Sequence, residues 1–454
     1  MLGKKEIKRI VKEALKYSRA DQKEISIFND DQALTRFANN HIHQNVRESN
    51  TNISVRVAFG KKIGYASTNS LDRKRIRETV AWADRIAQFQ KENADFKTLP
   101  KVKPDRYRSV IAAEKKTIDF GPTQRAEAVQ DIVEVAKKYG LMCFGSVSNG
   151  SGEIAIGNSL GTFAYSMSGD IFCNIVMTGV NSTGYIQAGN RDVGRLSFRK
   201  LAETAALKAV NSADPVTLPP GKYTTIFEPL AAREFLDFMG YYAFNGKAYE
   251  EGRSCLSGKL GKKIIDRRIS ITDEPFKKGG FSFPFDFEGV PKKKRILIEN
   301  GVARNVVYDA LTASRAKVQS TGHGLSAPNP FGPIPMHMVM QGGDKTLTQM
   351  VNETVHGILV TRFHYTNILD PHALLFTGMT RDGTFLIENG AITKGLKNFR
   401  FTENIIDCFN RLDTISKNTQ LVASEPGYGA RFATGAIVPF LKIKDFAFTG
   451  VTKF

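Results

Sequence analysis

The stretch LMCFGSVSNGSGEIAIGNSLGTFAYSMSGDIFCNIVMTGVNSTGYIQAGN, residues 141–190, decides the fold class. It carries two charges, Glu153 and Asp170, among Gly, Ser, Thr, Asn and β-branched residues. A helix would repeat apolar residues every three or four positions and would be weakened by so many glycines. Apolar and aromatic residues punctuated by turn formers predict instead a β-meander of short antiparallel strands joined by tight turns. Inside it, Gly157-Asn158-Ser159-Leu160-Gly161 matches the GxSxG of a hydrolase nucleophile elbow. An elbow needs a helix next, whereas Thr162-Phe163-Ala164-Tyr165-Ser166 alternates like a strand, so the expectation is a plain turn.

Before the meander, residues 125–139 place Ala126, Val129, Ile132 and Ala136 on one helical face, with Gly140 as a left-handed stop. Further back, Ile7, Ile10, Val11, Ala14 and Leu15 recur at helical spacing, and Ile53, Val55, Val57 and Phe59 alternate like a half-buried strand. A second helix opens after Ser70 and runs through Ile76, Val80, Ala83, Ile86 and Ala87, with Ser70 or Asp72 available as its cap. A polar linker over residues 91–104 closes this part. After the meander, a helix over 201–210 leads into the turn-rich Asn211-Ser212-Ala213-Asp214-Pro215, the main boundary.

From about Leu218 the chain is strand-rich with inserted helices. Leu297-Ile298-Glu299-Asn300-Gly301 and Leu386-Ile387-Glu388-Asn389-Gly390 each place Asn-Gly after an apolar run and predict type I′ hairpins, though not a repeat protein. Helices are expected over 347–356 and over 403–415, the latter capped by Thr402. Phe281-Ser282-Phe283-Pro284-Phe285-Asp286-Phe287 predicts a strand that buries one aromatic face. The chain therefore reads as α+β: an N-terminal α+β unit over 1–103, a helix and β-meander over 104–215, and a β-rich unit with inserted helices over 216–454.

With 454 residues, 41% of them apolar and 24% charged, the chain can bury more than one core. No apolar run approaches the roughly 18 residues that cross a bilayer, and the N-terminus mixes charges instead of setting a basic head before an apolar core, so a cytosolic protein is expected. Cys143, Cys173, Cys255 and Cys408 lie too far apart for a metal knuckle or a disulfide framework and read as buried thiols. The net charge of +19 divides into +11 before Val216 and +8 from there on. Its densest clusters, Arg73-Lys74-Arg75 with Arg77 and Lys292-Lys293-Lys294-Arg295, read as solvated faces, so nucleic acid is not expected as the main partner.

There is no phosphate-binding GxxxxGK[ST], no GxGxxG opening a helix and no HExxH; none of the seven histidines is followed by Glu. His41 and His43 suit a surface or interface role. His356, His364 and His372 stand eight residues apart, and with Asp370 they are the alternative metal constellation. Thr321-Gly322-His323-Gly324, followed by Pro328, Pro330, Pro333 and Pro335, is a long irregular loop of the kind that lines clefts.

Several blocks together resemble one family, the TldD/PmbA (TldE) proteins, once called modulators of DNA gyrase and linked to maturation of a peptide antibiotic. They are Leu34-Thr35-Arg36-Phe37-Ala38-Asn39-Asn40-His41-Ile42-His43-Gln44-Asn45, Gly64-Tyr65-Ala66-Ser67-Thr68-Asn69, Asn158-Ser159-Leu160-Gly161, Gly252-Arg253-Ser254, Pro284-Phe285-Asp286-Phe287-Glu288-Gly289-Val290, Ser320-Thr321-Gly322 and Val355-His356-Gly357-Ile358-Leu359-Val360. The resemblance implies an α+β N-terminal region, a C-terminal domain of curved, barrel-like antiparallel sheet, and a paired architecture whose cleft takes unfolded peptides. TldD-type subunits carry an HExxxH helix whose histidines hold zinc and whose glutamate is the general base, with a late Cys in a Gly-rich segment completing the site.

Read back without gaps from Ser254, the HExxxH positions fall on Asp237, Phe238, Met239, Gly240, Tyr241 and Tyr242. Neither histidine is present, Phe238 cannot act as a base, no histidine lies between His43 and His323, and residues 426–432 contain no cysteine. The resemblance thus implies a PmbA/TldE-like, zinc-free subunit with no catalytic residue and no cofactor of its own. Asp237, Phe238 and Tyr242 would be the degenerate counterpart of the metal site, and Thr321, Gly322 and His323 candidates for lining the peptide. Its expected partners are a TldD-like metallopeptidase subunit or a second copy, and unfolded peptide; no membrane association is expected. The alternatives are a metallopeptidase in its own right with a divergent site, or a basic nucleic-acid or gyrase-modulating binding protein.

Overall fold

The computed structural model describes residues 1–110, 113–427 and 431–452. The elements in chain order are α1 (Lys4–Ala14), β1 (Gln22–Ala38), β2 (His41–Phe59), β3 (Lys62–Thr68), α2 (Arg73–Phe89), α3 (Lys115–Ile118), α4 (Pro122–Lys138), β4 (Met142–Asn158), β5 (Phe163–Thr178), β6 (Thr183–Asn190) and α5 (Phe198–Asn211). There follow β7 (Gly221–Phe227), α6 (Pro229–Phe238), α7 (Gly246–Glu250), β8 (Ile271–Asp273), β9 (Arg295–Glu299), β10 (Val302–Ala303), α8 (Ala310–Ala316), β11 (Met338–Met340) and α9 (Leu347–Asn352). The last are β12 (His356–Asp370), β13 (Leu375–Glu388), β14 (Ala391–Gly395), β15 (Phe399–Asn404), α10 (Ile405–Asn410), β16 (Leu412–Ala423) and β17 (Gly435–Val451). The fold is α+β. Among the described residues no helix is long and apolar enough to cross a membrane.

The first six strands form one sheet in the order β3-β2-β1-β4-β5-β6, to which the first two sequence units contribute three strands each. The two halves share one plan: a helix, a three-stranded meander and a second helix lying on the edge strand. The match extends to one glycine in each half. A Cβ on Gly64 of β3 would stand 2.1 Å from the Ala83 carbonyl oxygen of α2, and one on Gly184 of β6 would stand 2.1 Å from the Ala205 carbonyl oxygen of α5. Only glycine lets each helix approach its strand so closely.

The meander strands are longer than the sequence suggests: β4 has 17 residues and β5 has 16. Their small polar residues are compatible with long strands because β4 lies between β1 and β5, which saturate its backbone on both sides. Helices cover one face of this sheet, while Phe283 and Phe285 of the C-terminal half pack on Ile154, Ile156 and Ala164 on the other. The two lone charges are both anchors. Glu153, buried, accepts the backbone N–H of Leu2 and of Gly3 at 2.8 Å each, the Asn29 amide at 2.8 Å and the Tyr165 hydroxyl at 2.7 Å, which ties down the start of α1. Asp170 receives the Arg431 guanidinium at 2.7 and 2.8 Å, fixing the chain just before β17 to the sheet.

The C-terminal half is an 11-stranded sheet whose strands β17, β15, β13, β12 and β7 pair in turn, with β7 pairing back to β17. That ring closes around α6. Phe235 of α6 stands 5.4 Å from Phe227, 5.9 Å from Phe363, 5.3 Å from Phe376 and 5.6 Å from Phe409, ring centre to ring centre. Such edge-to-face and tilted geometries are the favourable ones for aromatic pairs. The helix therefore plugs the partial barrel through one face and turns its other face outward.

Local expectations fare variously. Asn300 and Gly301, and Asn389 and Gly390, all have positive φ, as type I′ turns require. The GxSxG segment is a turn between β4 and β5, with Gly161 at φ 95°. The helix predicted over 347–356 stops at Asn352, and His356 begins β12. The helix predicted over 403–415 shrinks to α10, capped by Asn404 and not by Thr402. Glu403 stays in β15 because its buried carboxylate accepts the Ala447 N–H at 2.6 Å and the Arg411 guanidinium at 2.6 Å. Ile86, expected on the inner face of α2, is exposed with Trp82 and Phe89, since the buried stripe runs through Ile76, Thr79, Val80, Ala83 and Ala87. The aromatic run at 281–287 is not a strand. Asp286 there takes the place of a β-ladder, accepting the N–H groups of Glu288 at 3.0 Å, Val290 at 2.8 Å and Gly324 at 2.7 Å. All four cysteines are buried and unpaired.

Candidate functional site

The outward face of α6 opens onto a cavity of about 730 Å³. Its walls come from α6, the π-helical turn Met239–Ala243 that continues it, the proline-rich loop before β11, and the segment joining β16 to β17. The π-turn lets the helix continue past the barrel while re-aiming its side chains, a feature common at functional sites. Phe238 and Tyr242 stack at 6.4 Å along one wall, and Phe238 also touches Phe376 of the aromatic core at 5.7 Å. Gly240 lies against the opposite wall, where a Cβ would come within 3.0 Å of the Met338 methyl.

One ion pair lies in the cavity wall. The Arg233 guanidinium stands 3.0 Å from the Asp237 carboxylate one helical turn on, donates to the Ser424 hydroxyl at 2.7 Å and reaches the Val422 carbonyl at 3.3 Å. The Asp237 side chain keeps 34% of its surface open, toward the cavity, yet is otherwise surrounded by protein. Burial therefore raises its pKa above the usual carboxylate range, and Arg233 opposes the shift. Glu234 on the same helix is also raised, by burial and then by Asp237, and accepts the Thr366 hydroxyl at 3.0 Å.

The loop that forms the facing wall is held from behind by a buried polar cluster. Asp273, at the end of β8, accepts the His337 backbone N–H at 2.8 Å through one oxygen and meets His323 Nε2 at 3.1 Å through the other. His323 Nδ1 lies 2.9 Å from the Thr321 hydroxyl, and the Lys292 ammonium is 3.9 Å from the same Asp273 oxygen. Burial, and then Lys292, push His323 down to about 4 and His337 to about 3, so both rings are neutral at pH 7. Burial alone would raise Asp273, but Lys292 and the histidines hold it far below its ordinary value.

Of the residues singled out from sequence, Asp237, Phe238 and Tyr242 come together on the cavity wall. Gly322 and His323 are buried behind the loop, and Thr321 is spent on Tyr308 and His323. Leu325, Pro330, Phe331 and Ile334 of the same loop line the cavity instead. Lys292, read as part of a solvated charge run, is instead buried with its ammonium 3.9 Å from the buried Asp273 carboxylate, while Lys293 and Lys294 face water. Arg233 and Phe331 carry no signal of a site in the sequence: an Arg four residues before an Asp is common on any helix, and an aromatic after a proline signals nothing alone.

Zinc does not fit the residues present. Asp237 is committed to Arg233, and Phe238 offers no ligand atom. Of the terminal Gly-rich stretch, residues 428–430 lie outside the described residues; Pro426, Gly427, Arg431 and Phe432 supply no thiolate. His356 and His364 are eight residues apart on β12, about 26 Å at a strand's rise of about 3.3 Å per residue. Among the described residues no group of three or more His, Cys, Asp or Glu is placed to hold a metal ion.

Residues 220–450 match the PmbA/TldA metallopeptidase C-terminal domain, and residues 24–87 match domain 1 of the same family. A metalloprotease of Methanocaldococcus jannaschii is 24% identical over 81% of this chain and 84% of its own length. A metalloprotease PmbA homolog of Haemophilus influenzae is 23% identical over 85% of this chain and 84% of its own. The crystal structure of TldE from Thermococcus kodakarensis superposes with a TM-score of 0.87 over 98% of this chain and 100% of that one, at 21% identity, a likeness of fold. Together the two matches cover more than half of the sequence, and the chain belongs to the PmbA/TldD metallopeptidase family.

Proposed function

We propose that this chain is the zinc-free, PmbA/TldE-like subunit of a TldD-type metallopeptidase, paired with that subunit and contributing one wall of a cleft for unfolded peptides. The observation that carries the reading is the outward face of α6 and its π-turn. The side chains offered there are Asp237, already paired with Arg233, and the stacked Phe238 and Tyr242. That set cannot hold a catalytic metal or deprotonate a water, but it can contact a peptide. The cavity behind it has the size of sites that enclose small organic ligands, about 300–1,000 Å³.

The test is zinc content and peptide hydrolysis by the purified full chain, alone and then mixed with a TldD-type subunit from the same source. Sub-stoichiometric zinc and no cleavage alone, together with altered activity or solubility of the partner, is the expected result. Stoichiometric zinc that is lost on Asp237→Ala, or chelator-sensitive cleavage by the chain alone, would replace this reading with an enzyme in its own right.

A further inference from the structure

The charged side chains that line the cavity beside α6 are already paired: Arg233 and Asp237 with each other, and Arg253 with Glu251. Asp237 opens toward the interior but is held by Arg233, whose two terminal guanidinium nitrogens also donate to Ser424 and Val422. A lysine side chain entering would find its carboxylate already neutralised, and a glutamate would find the arginine occupied. Apolar surface is left over: the Phe238 and Tyr242 rings along one wall, Ile334 and Met338 opposite, and two aromatic side chains at the mouth. Those two, Tyr241 at 53% exposed and Phe331 at 71%, stand in water with large apolar faces uncovered. Among the described residues neither phenol of Tyr241 and Tyr242 has a hydrogen-bonding partner.

We infer that this cavity is a side-chain pocket that holds one large apolar residue, aromatic or branched aliphatic, of an extended peptide. The inference rests on the peptide-cleft reading above and adds to it a substrate class. Insertion of such a residue covers Tyr241 and Phe331 and removes apolar area from water on both partners, which favours binding in proportion to that area. Rings at 4.5–7 Å separation gain a further increment from edge-to-face contact. Where a catalytic family member has its metal helix, this chain has a wall that grips a peptide without cutting it. The space of about 730 Å³ admits the side chain with its flanking backbone.

The experiment uses the full chain without any partner subunit and fluorescein-labelled peptides Gly-Ser-Gly-X-Gly-Ser-Gly, with X as Phe, Leu, Ala, Lys or Glu, followed by fluorescence anisotropy. The Phe and Leu peptides are expected to bind roughly tenfold more tightly than the Ala peptide, the order expected for burying one large apolar side chain. The Lys and Glu peptides should bind no better than Ala. Phe331→Ala, and Phe331→Ala with Tyr241→Ala, should erase the preference; Phe331 is exposed enough that its loss leaves the melting temperature unchanged. Equal binding of all five peptides, preference for Lys or Glu, no binding, or a preference that survives both variants overturns the inference. Because binding is read on the chain alone, this outcome is separate from failure to alter a TldD-type subunit.

Discussion

Asp273→Ala is expected to destabilise the protein by about 3–5 kcal/mol, the usual penalty for stripping one partner from a buried charge pair. Asp273 is fully buried and serves three groups at once: the His337 N–H, the His323 ring and the Lys292 ammonium. Its removal leaves Lys292 as a buried cation whose nearest carboxylate is gone and frees both ends of the loop that walls the cavity. Urea unfolding at pH 7.5 measures the loss. The double variant Asp273→Asn with Lys292→Met should recover a large part of it, because the uncompensated cation goes with the carboxylate. A loss below about 1 kcal/mol for Asp273→Ala, the scale of an exposed pair, would show that the cluster does not hold the loop.

The same cluster makes the fold acid-sensitive. The folded pKa values of His323 and His337, about 4 and about 3, lie below the ordinary imidazole value of 6.5. A base with a depressed folded pKa contributes stability that is present above 6.5 and is lost as pH falls toward the folded value, since the unfolded chain binds the protons first. Asp273, also depressed, adds a loss below its ordinary value of 3.8. The buried pair Asp286 and Glu288 works the other way. Burial first, and Asp286 as neighbour against the pull of the Arg56 guanidinium, raise Glu288 well above the ordinary carboxylate range, so its contribution is present at acid pH and fades as pH rises. Replacing His337 with Phe should therefore flatten the unfolding free energy between pH 6.5 and 4 relative to the parent chain. An identical slope in the two proteins would show that His337 is not held neutral in the folded state.

Much of this fold was legible in the sequence, and the gaps have physical causes. The charge-poor stretch at 141–190 announced strands because a β-sheet covered on both faces has no use for charge. It did not announce their length, since Gly, Ser and Asn read as turns unless one knows that neighbours on both sides saturate the backbone. The shared plan of the two N-terminal halves was invisible because it lives in topology and in two glycines, Gly64 and Gly184, whose meaning is a helix packed at close range. Asp286 illustrates the opposite failure. Alternation around it fits a strand, but one carboxylate that takes three backbone N–H groups folds the segment into a knot of turns. The site was half legible: Asp237, Phe238 and Tyr242 do share a cavity, but the loop contributes residues 325–336 and not the Thr-Gly-His before them, because His323 was needed inside as a neutral partner for Asp273.

Phe235→Ala is expected to cost about 3–5 kcal/mol, the range for truncating a fully buried aromatic residue, and to reach the cavity as well as the core. Phe235 is completely buried and sits between Phe227 of β7, Phe363 of β12, Phe376 of β13 and Phe409 of α10, so one side chain joins the helix to the ring that closes around it. Arg233 and Asp237 flank it two residues away on either side, facing the opposite direction. A void under the helix lets α6 tilt, which would separate the Phe238 and Tyr242 rings and loosen the Arg233 to Asp237 pair. Thermal unfolding reads the first effect, and anisotropy with the Phe-containing peptide reads the second in the same sample. Phe235→Leu, which keeps most of the volume, should lose much less stability and retain the peptide preference. If Phe235→Ala were to unfold at the parent temperature, the barrel would not be gripping the helix through its aromatic core. If it lost stability with peptide binding intact, α6 would be positioned by the loops around its ends and not by the plug.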